Sequence, residues 1–479
     1  MKILFAVSEA EPFVKTGGLA DVAGHLPPAL AEHGHCVSLF LPHYQAIADS
    51  GLEKCLEFTI PLGRERSQTA VVCQRRLQPG LTAYFIAGGD FFDRPHLYGP
   101  PGDEYPDNGR RFIFFCRAVL ESVRRLGLEP DIYHTHDWQT ALIPVYLKTL
   151  YRDLTFKQGT SLFTIHNLGY QGLQDKMLLP ETGLGWEEFT WQKLEYFDRL
   201  NLLKGGLVYA DALSTVSPSY SREILEPEFG FGLDGVLRER QGVLTGILNG
   251  VDYAIWDPAV DPHISHRYRI GRMGGKKHCK RKLLQEFELP SNPDLPLVGM
   301  VSRMVGQKGF DLILKLLERA PEFNCRFIFL GSGESKIEEQ LQRLSCSFPE
   351  TVACHCGYDN RLAHQIEAGA DIFLMPSYYE PCGLNQLYSL RYGTVPVVRA
   401  VGGLNDSIEE CSPTEGLGNG FKFQPYTTAA LQQCLERALT LYRQHPRFWW
   451  QLRRRGMECD FSWHKSAAEY EKLYTTMQK

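Results

Sequence analysis

The chain has 479 residues, 43% hydrophobic and 22% charged, with a net charge of −5. Its pI is near 6.3 and its mean hydropathy −0.25. A chain this long exceeds one ordinary core and points to two large domains. The mild negative charge gives no electrostatic reason to expect nucleic acid or an anionic membrane as partner. No apolar run approaches the roughly 18 residues that cross a bilayer.

In chain order, "KILFAVS" opens the sequence and reads as a first buried strand rather than a signal peptide, because glutamates follow at once. The expected location is the cytoplasm. Further short apolar runs follow: "CVSLFLP", "TAYFIAG", "DIYHTH", "SLFTIH", "ALSTVS" and "LTGILN". Helical patterns lie between them at 19–33, 108–126 and 138–150. After a loop rich in Asp, Pro and Gly at 250–262, the alternation resumes with "LPLVGMVS", "RFIFLG", "TVACHCG", "DIFLMPS" and "TVPVV". Continuously apolar strands alternating with helices indicate parallel sheets covered on both faces. The fold class is therefore α/β, with two doubly wound, Rossmann-like domains and a cleft between them. The boundaries expected are 1–250 and 251–459, with a terminal helix over 460–479 joined to the first. In such sheets, ligands bind at the carboxyl ends of the strands.

The strand-end loops hold the residues of interest. In "VKTGGLADVAGHL", Lys15 stands just ahead of Gly17 and Gly18, and the apolar face Leu19, Val22, Ala23, Leu26 and Leu30 follows. Pro27 and Pro28 are expected to kink or interrupt this helix. A lysine and flexible amides at a helix start suit an anion, but the same residues also make a plain strand-to-helix turn. "SRMVGQKGF" places Arg303 and Lys308 in one loop before a helix, a pairing suited to pyrophosphate or to a solvated basic loop. "PSYYEPCGLNQL" carries Glu380 beside the helix opened by Gly383, as sugar ligand or as capping group. "VGGL" at Gly402 and Gly403 is a second glycine pair at a strand end. Asp137, His166 and Asn249 all sit in polar loops leaving strands of the first domain.

The thirteen cysteines are scattered. Cys354, His355 and Cys356 lack a second pair at zinc-site spacing and read as strand cysteines in a reducing compartment, so no metal is expected.

Taken together, "KTGGLADVAGHLP", "YPDNGRRFIFF", "HTHDWQTALIP", "FTIHNLGYQG", "TVSPSYSREI", "GILNGVDYAIWDP", "SRMVGQKGFDLI" and "PSYYEPCGLNQLYSLRYGTVPVVRAVGGLNDSI" resemble bacterial glycogen synthases and plant starch synthases. The resemblance runs in register from residue 1 to about 410 and includes the terminal "FSW" helix. It implies a GT-B fold, with an N-terminal acceptor and catalytic domain and a C-terminal nucleotide-sugar domain. It also implies transfer of glucose from ADP-glucose to the non-reducing 4-OH of an α-1,4-glucan, with retention of configuration. ADP-glucose is then a co-substrate, and no cofactor or metal is required.

Carried over motif by motif, the resemblance has Lys15, Gly17 and Gly18 meet the diphosphate and sugar when the domains close. Arg303 and Lys308 hold the leaving phosphates, assisted by amides near Gly383 and Leu384, and Tyr358 stacks on adenine. Asp137, Trp138, His166, Asn249, Glu380 and Cys382 surround the glucose. Lys15, Asp137, His166, Arg303, Lys308 and Glu380 make up the catalytic set. The motifs show no glycosidase-like carboxylate pair, so a front-face route is expected, with His166 contributing its backbone carbonyl.

Two departures stand out. Asn385 replaces the family's usual threonine, and 262–285 is more basic and Gly-rich, which reads as a solvated surface. Sucrose- and trehalose-type synthases commonly carry a second glutamate where this chain has Tyr388. The remaining alternatives are a related retaining enzyme using UDP-glucose, and a non-catalytic glucan-binding or priming paralogue.

Overall fold

The computed structural model describes residues 1–100, 102–152, 156 and 159–479. It divides into one unit of 1–250 with 463–479 and a second of 251–462.

Among the described residues, the first unit contains twelve strands. Nine of them form one sheet: β1 (Lys2–Ala6), β2 (Cys36–Pro42), β3 (Glu53–Leu62), β4 (Arg66–Gln78), β5 (Leu81–Ala87), β6 (Ile132–His136), β7 (Thr160–Ile165), β11 (Ala212–Thr215) and β12 (Leu244–Gly246). The other three, β8 (Leu173–Asp175), β9 (Glu195–Tyr196) and β10 (Arg199–Asn201), make a small antiparallel sheet. The large sheet runs β12-β11-β7-β6-β1-β2-β5-β4-β3 and is parallel from β12 to β5. Its order reverses between β1 and β6, so the loops leaving those two strands open beside each other.

The expected parallel sheet is thus extended by an antiparallel hairpin, β3–β4, that the apolar-run pattern misses. Its residues alternate in burial, so one face stays wet, and a run such as "EKCLEFTIPL" never becomes continuously apolar.

The first helix runs Gly18–Glu32 and buries Leu19, Val22, Ala23, Leu26 and Leu30. It continues through Pro27 and Pro28, contrary to the expected interruption. Two adjacent prolines remove only two N–H donors, and the buried stripe on both sides of them holds the turns in place. The helix at Asn108–Leu126 ends on Gly127 in the left-handed region (φ 64°). The single helix expected over 138–150 is instead two short pieces, Asp137–Thr140 and Leu142–Lys148. The C-terminal helix, Trp463–Met477, packs into the core of this first unit through Trp463, Ala467, Tyr470 and Tyr474.

The second unit has six parallel strands: β13 (Leu297–Val301), β14 (Arg326–Gly331), β15 (Val352–Cys356), β16 (Ile372–Met375), β17 (Val395–Arg399) and β18 (Phe421–Phe423). Their order is β15-β14-β13-β16-β17-β18, which reverses between β13 and β16. The basic segment 262–285 is not simply a solvated surface. Lys276 is buried and donates to Thr394 Oγ1 at 2.5 Å and to the carbonyls of Glu367 and Ala368. Lys280 is buried against Asp371 at 2.5 Å. These two ammoniums fasten the helix Gly274–Glu286 to the sheet, while Lys277, Arg281 and Lys282 stay exposed. Tyr388, where sucrose- and trehalose-type synthases commonly carry a glutamate, stacks on Trp256 at 3.9 Å with rings nearly parallel.

Among the described residues, no helix is long and apolar enough to cross a membrane. The thirteen cysteines are all free.

Candidate active site

In each unit the reversal of strand order sets two candidate-bearing loops side by side, those after β1 and β6 in the first and those after β13 and β16 in the second. In the first unit, β1 leads through Ser8 and Glu9 into the Lys15 loop, and β6 leads straight into Asp137. Lys15 Nζ donates to Asp21 Oδ1 at 2.7 Å and to Glu11 Oε2 at 3.1 Å. Burial works against its charge, but the two carboxylates outweigh it and hold the ammonium above its ordinary pKa. Asp21 also lies above its ordinary range, because its own burial exceeds the pull of Lys15. Gly17 is extended and opens the helix without a side-chain cap.

Glu9 is a site residue that the motif reading did not single out. It is almost fully buried, and its Oε2 accepts from Thr16 N at 2.5 Å and Thr16 Oγ1 at 2.8 Å. Burial pushes its carboxyl up to about 7 despite those bonds. The carboxylate therefore moulds the Lys15–Gly17 turn from beneath. The signal for it was a glutamate one residue past an apolar strand, where solvent exposure is the default reading.

Asp137 adopts φ 52°, uncommon for a non-glycine residue and a local strain of order 1–2 kcal/mol. That conformation turns its carboxylate onto the next loop, where Oδ1 accepts from His166 N at 2.7 Å. Burial raises its carboxyl to about 7, against the backbone bonds from His166 and Asn167 and with a contribution from Glu9. His166 is buried, and burial lowers its imidazole to about 3, so it is neutral near pH 7. Its Nε2 lies 2.9 Å from His136 Nδ1. Asn249, after β12, is buried with Oδ1 lacking any hydrogen-bond partner among the described residues.

Trp138 packs edge-on against Phe112 and forms one wall of a cavity of about 370 Å³. Tyr170, Tyr196 and Phe231 supply further ring surface there, and Glu104, Gln171 and Gln174 supply polar groups. Gly172 lines the same cavity at φ 61°, and a β-carbon there would lie 2.5 Å from the Trp138 ring. Aromatic faces bordered by a few polar groups suit a ligand with both C–H faces and hydroxyls, such as a sugar.

In the second unit, Arg303 and Lys308 lie on the loop after β13, and Glu380 on the loop after β16. Lys308 Nζ reaches Glu380 Oε2 at 2.6 Å, and Ser377 Oγ donates to the same oxygen at 2.9 Å. Arg303 is exposed. Gly309 takes φ 79° where the loop enters the helix Phe310–Leu317, and a β-carbon would collide with Pro376 O at 2.2 Å. The loops from β13 and β16 are thereby pressed together. Gly383 has φ 72°, and the helix begins two residues later, at Asn385–Arg391, rather than at Gly383 itself. Cys382 is buried and Leu384 half-buried beside it.

The glycine pair Gly402–Gly403 serves packing. Added β-carbons would meet Glu380 O at 1.9 Å and Cys382 O at 2.1 Å, so the pair lets this helix start slide under the Glu380 loop. Asn385 Nδ2 donates to Val301 O at 2.7 Å, tying its helix to the end of β13. Tyr358, after β15, is exposed, with its hydroxyl 3.3 Å from Asn360 Oδ1. Cys354, His355 and Cys356 all lie on β15, and no group of three or more His, Cys, Asp or Glu among the described residues is arranged to hold a metal ion.

Residues 2–239 match the family described as starch synthase catalytic domain, and residues 282–449 match glycosyl transferases group 1. A glycogen synthase from Koribacter versatilis is 48% identical over 476 residues, 99% of this chain and 98% of its own length. The catalytic domain of starch synthase IV from Arabidopsis thaliana, solved bound to ADP and acarbose, superposes with TM-score 0.90 at 33% identity. It covers 100% of this chain and 99% of that one. A sucrose-phosphate synthase from Thermosynechococcus elongatus shares the fold at TM-score 0.61 and 18% identity, over 99% and 98% of the two chains. With two Rossmann-like halves of the GT-B class, matched over its full length, the chain belongs to the family of bacterial glycogen synthases and starch synthases, and it is a glycosyltransferase.

Proposed function

We propose that the chain transfers glucose from ADP-glucose to the non-reducing 4-OH of an α-1,4-glucan, with retention of configuration. The observation that carries this reading is the full-length match to a starch synthase solved with ADP and acarbose, a nucleotide and a glucan-like ligand. The same full-length similarity to glycogen synthases favours this reading over a UDP-glucose enzyme or a non-catalytic paralogue.

Departure of ADP concentrates negative charge on its phosphate oxygens while the glucose becomes oxocarbenium-like. Lys15, Arg303 and Lys308, with amides near Gly17, Gly18, Gly383 and Leu384, would stabilise the first charge. Tyr358 would take the adenine. Asp137, His166, Asn249, Glu380 and Cys382 would fix the glucose hydroxyls. Neutral His166 suits that role, since an imidazolium beside an oxocarbenium would oppose the reaction. The Trp138 cavity would receive the glucan end, with aromatic faces against pyranose rings and Glu104, Gln171 and Gln174 against hydroxyls. In this reading ADP-glucose is a co-substrate, and the three cations do the work that a metal does in other diphosphate sites.

Initial rates with ADP-glucose and UDP-glucose, glycogen as acceptor, test the proposal. Expected are a strong preference for ADP-glucose, an α-linked product, and turnover unchanged by EDTA. Bound ADP-glucose without glucose incorporation would replace the enzyme by a binding paralogue.

A further inference from the structure

His136 is the last residue of the buried strand β6 and immediately precedes Asp137, where the short helix carrying Trp138 begins. His134 and His136 are alternate residues of β6 and share one face of the sheet. The His136 ring is held between Phe5, at 4.2 Å between centroids, and His134, at 4.1 Å. Its Nδ1 lies 2.9 Å from His166 Nε2, and its Nε2 is enclosed with no hydrogen-bond partner among the described residues.

Only one proton fits between Nδ1 of His136 and Nε2 of His166. If His166 supplied it, neutral His136 would carry its own proton on Nε2, stranding a buried N–H. If His136 supplies it, the atom left unpaired is a bare lone pair. Orphaned buried N–H groups are the rarer outcome in folded proteins, so the proton belongs to His136 Nδ1. His166 then accepts at Nε2 and, being neutral, must carry its own proton on Nδ1. That nitrogen makes no hydrogen bond to the described residues and, unlike His136 Nε2, is not sealed from solvent.

Behind His136, both nitrogens of His134 are engaged. Nδ1 meets the Tyr474 hydroxyl at 2.8 Å and Nε2 meets Thr164 Oγ1 at 2.6 Å, which continues to Ser214 Oγ at 2.6 Å. The ring is pinned at both ends and cannot turn without breaking a buried bond. Tyr474 belongs to the C-terminal helix, 340 residues away in sequence. Burial keeps His134 and His136 neutral, consistent with two rings packed at 4.1 Å without mutual repulsion.

We propose that His136 is a positioning residue that holds His166 as the Nδ1–H tautomer, a neutral N–H donor toward the transferred sugar, with His134 and Tyr474 as its fixed backing. The proposal rests on the reading of His166 as a sugar-contacting residue. It gives the C-terminal helix a part in the reaction that its distance in sequence conceals.

The test is nitrogen NMR of the full chain labelled with ¹⁵N-histidine, with His166→Ala used to assign the signals. Expected for His166 is a protonated Nδ1 and a bare Nε2 between pH 6 and 8; the opposite tautomer overturns the proposal. In kinetics, His136→Phe is expected to lower kcat by about 10–100-fold with KM for ADP-glucose changed less than about threefold. His136→Asn, whose amide can donate from near the Nδ1 position, is expected to recover most of that loss. An unchanged kcat in His136→Phe, or equal losses in both variants, overturns the positioning role. If His136→Phe does not fold, the tautomer in the unaltered chain still decides. Wild-type turnover in His166→Ala would instead remove the site reading beneath the proposal, whichever tautomer the spectrum shows.

Discussion

Lys308 and Glu380 meet at 2.6 Å across the strand reversal of the second unit, joining the loop after β13 to the loop after β16. Both side chains are largely shielded, at 16% and 7% exposure, so neither charge is freely hydrated. The pair is placed by backbone: Gly309 seats one loop against Pro376, and Gly402 seats its helix start under Glu380.

Glu380→Ala therefore leaves a shielded ammonium without its carboxylate and frees Ser377. The stability cost is expected to be about 1–3 kcal/mol, the usual scale for an unsatisfied polar group. Turnover is expected to fall about 100-fold or more, since the residue is also read as a glucose ligand. Thermal melting beside kcat at saturating donor separates the two effects. Near-wild-type kcat would remove Glu380 from the site.

Lys15→Ala is expected to behave differently in stability but alike in rate. Its side chain is 39% exposed, so its pairs with Asp21 and Glu11 contribute only about 1 kcal/mol or less. Loss of the cation is expected to lower turnover about 100-fold or more. Asp21→Asn keeps the ammonium but loosens its tether, and an intermediate loss is expected. A Lys15→Ala enzyme that works normally under saturating donor would leave the loop a plain turn.

The strands that carry these loops were legible because a buried parallel strand has to be apolar throughout. "KILFAVS", "DIYHTH", "LPLVGMVS" and "DIFLMPS" are such runs, and the loops at their ends carry Lys15, Asp137, Arg303 and Glu380 in turn. The β3–β4 hairpin was not legible that way, because one wet face breaks the apolar run. Glu9 and His136 were missed for a related reason. Their importance lies in what surrounds them, Thr16 folded back over one and Phe5 of β1 with His134 against the other, and residue type alone does not show those contacts. Gly402 and Gly403 read only as a second glycine pair at a strand end, and it is the carbonyls of Glu380 and Cys382 that occupy the space their missing side chains leave. Lys276 and Lys280 looked like surface charge, because sequence alone does not show the carbonyls and the Asp371 carboxylate that receive them.

Glu9 gives a pH dependence with a definite sign. Its folded pKa, about 7, exceeds the ordinary glutamate value of 4.5, so ionising it costs stability. The folded state binds this proton more tightly than the unfolded chain, and stability is lost as pH rises from about 4.5 through 7. Two and a half pH units correspond to about 3 kcal/mol. Glu9→Gln cannot ionise, so its stability relative to wild type is expected to rise across that window and to level off above it. Urea unfolding of both proteins at pH 4.5, 6 and 8 measures the difference. A difference independent of pH would mean that Glu9 titrates normally and does not mould the Lys15 turn as a buried carboxyl.

Gly172 and Trp138 supply the test of the acceptor site. Alanine at Gly172 would bring a β-carbon to 2.5 Å from the indole, at a φ of 61° that side chains resist. Strain and overpacking together are expected to cost about 1–3 kcal/mol, with the indole displaced into the cavity it lines. If that cavity receives the glucan end, Gly172→Ala raises KM for maltohexaose several-fold while KM for ADP-glucose stays within about twofold. Trp138→Ala is expected to raise the same acceptor KM further, since it removes the ring surface itself. Donor KM rising in step with acceptor KM in both variants would place the indole's role with the donor and leave the cavity without a ligand.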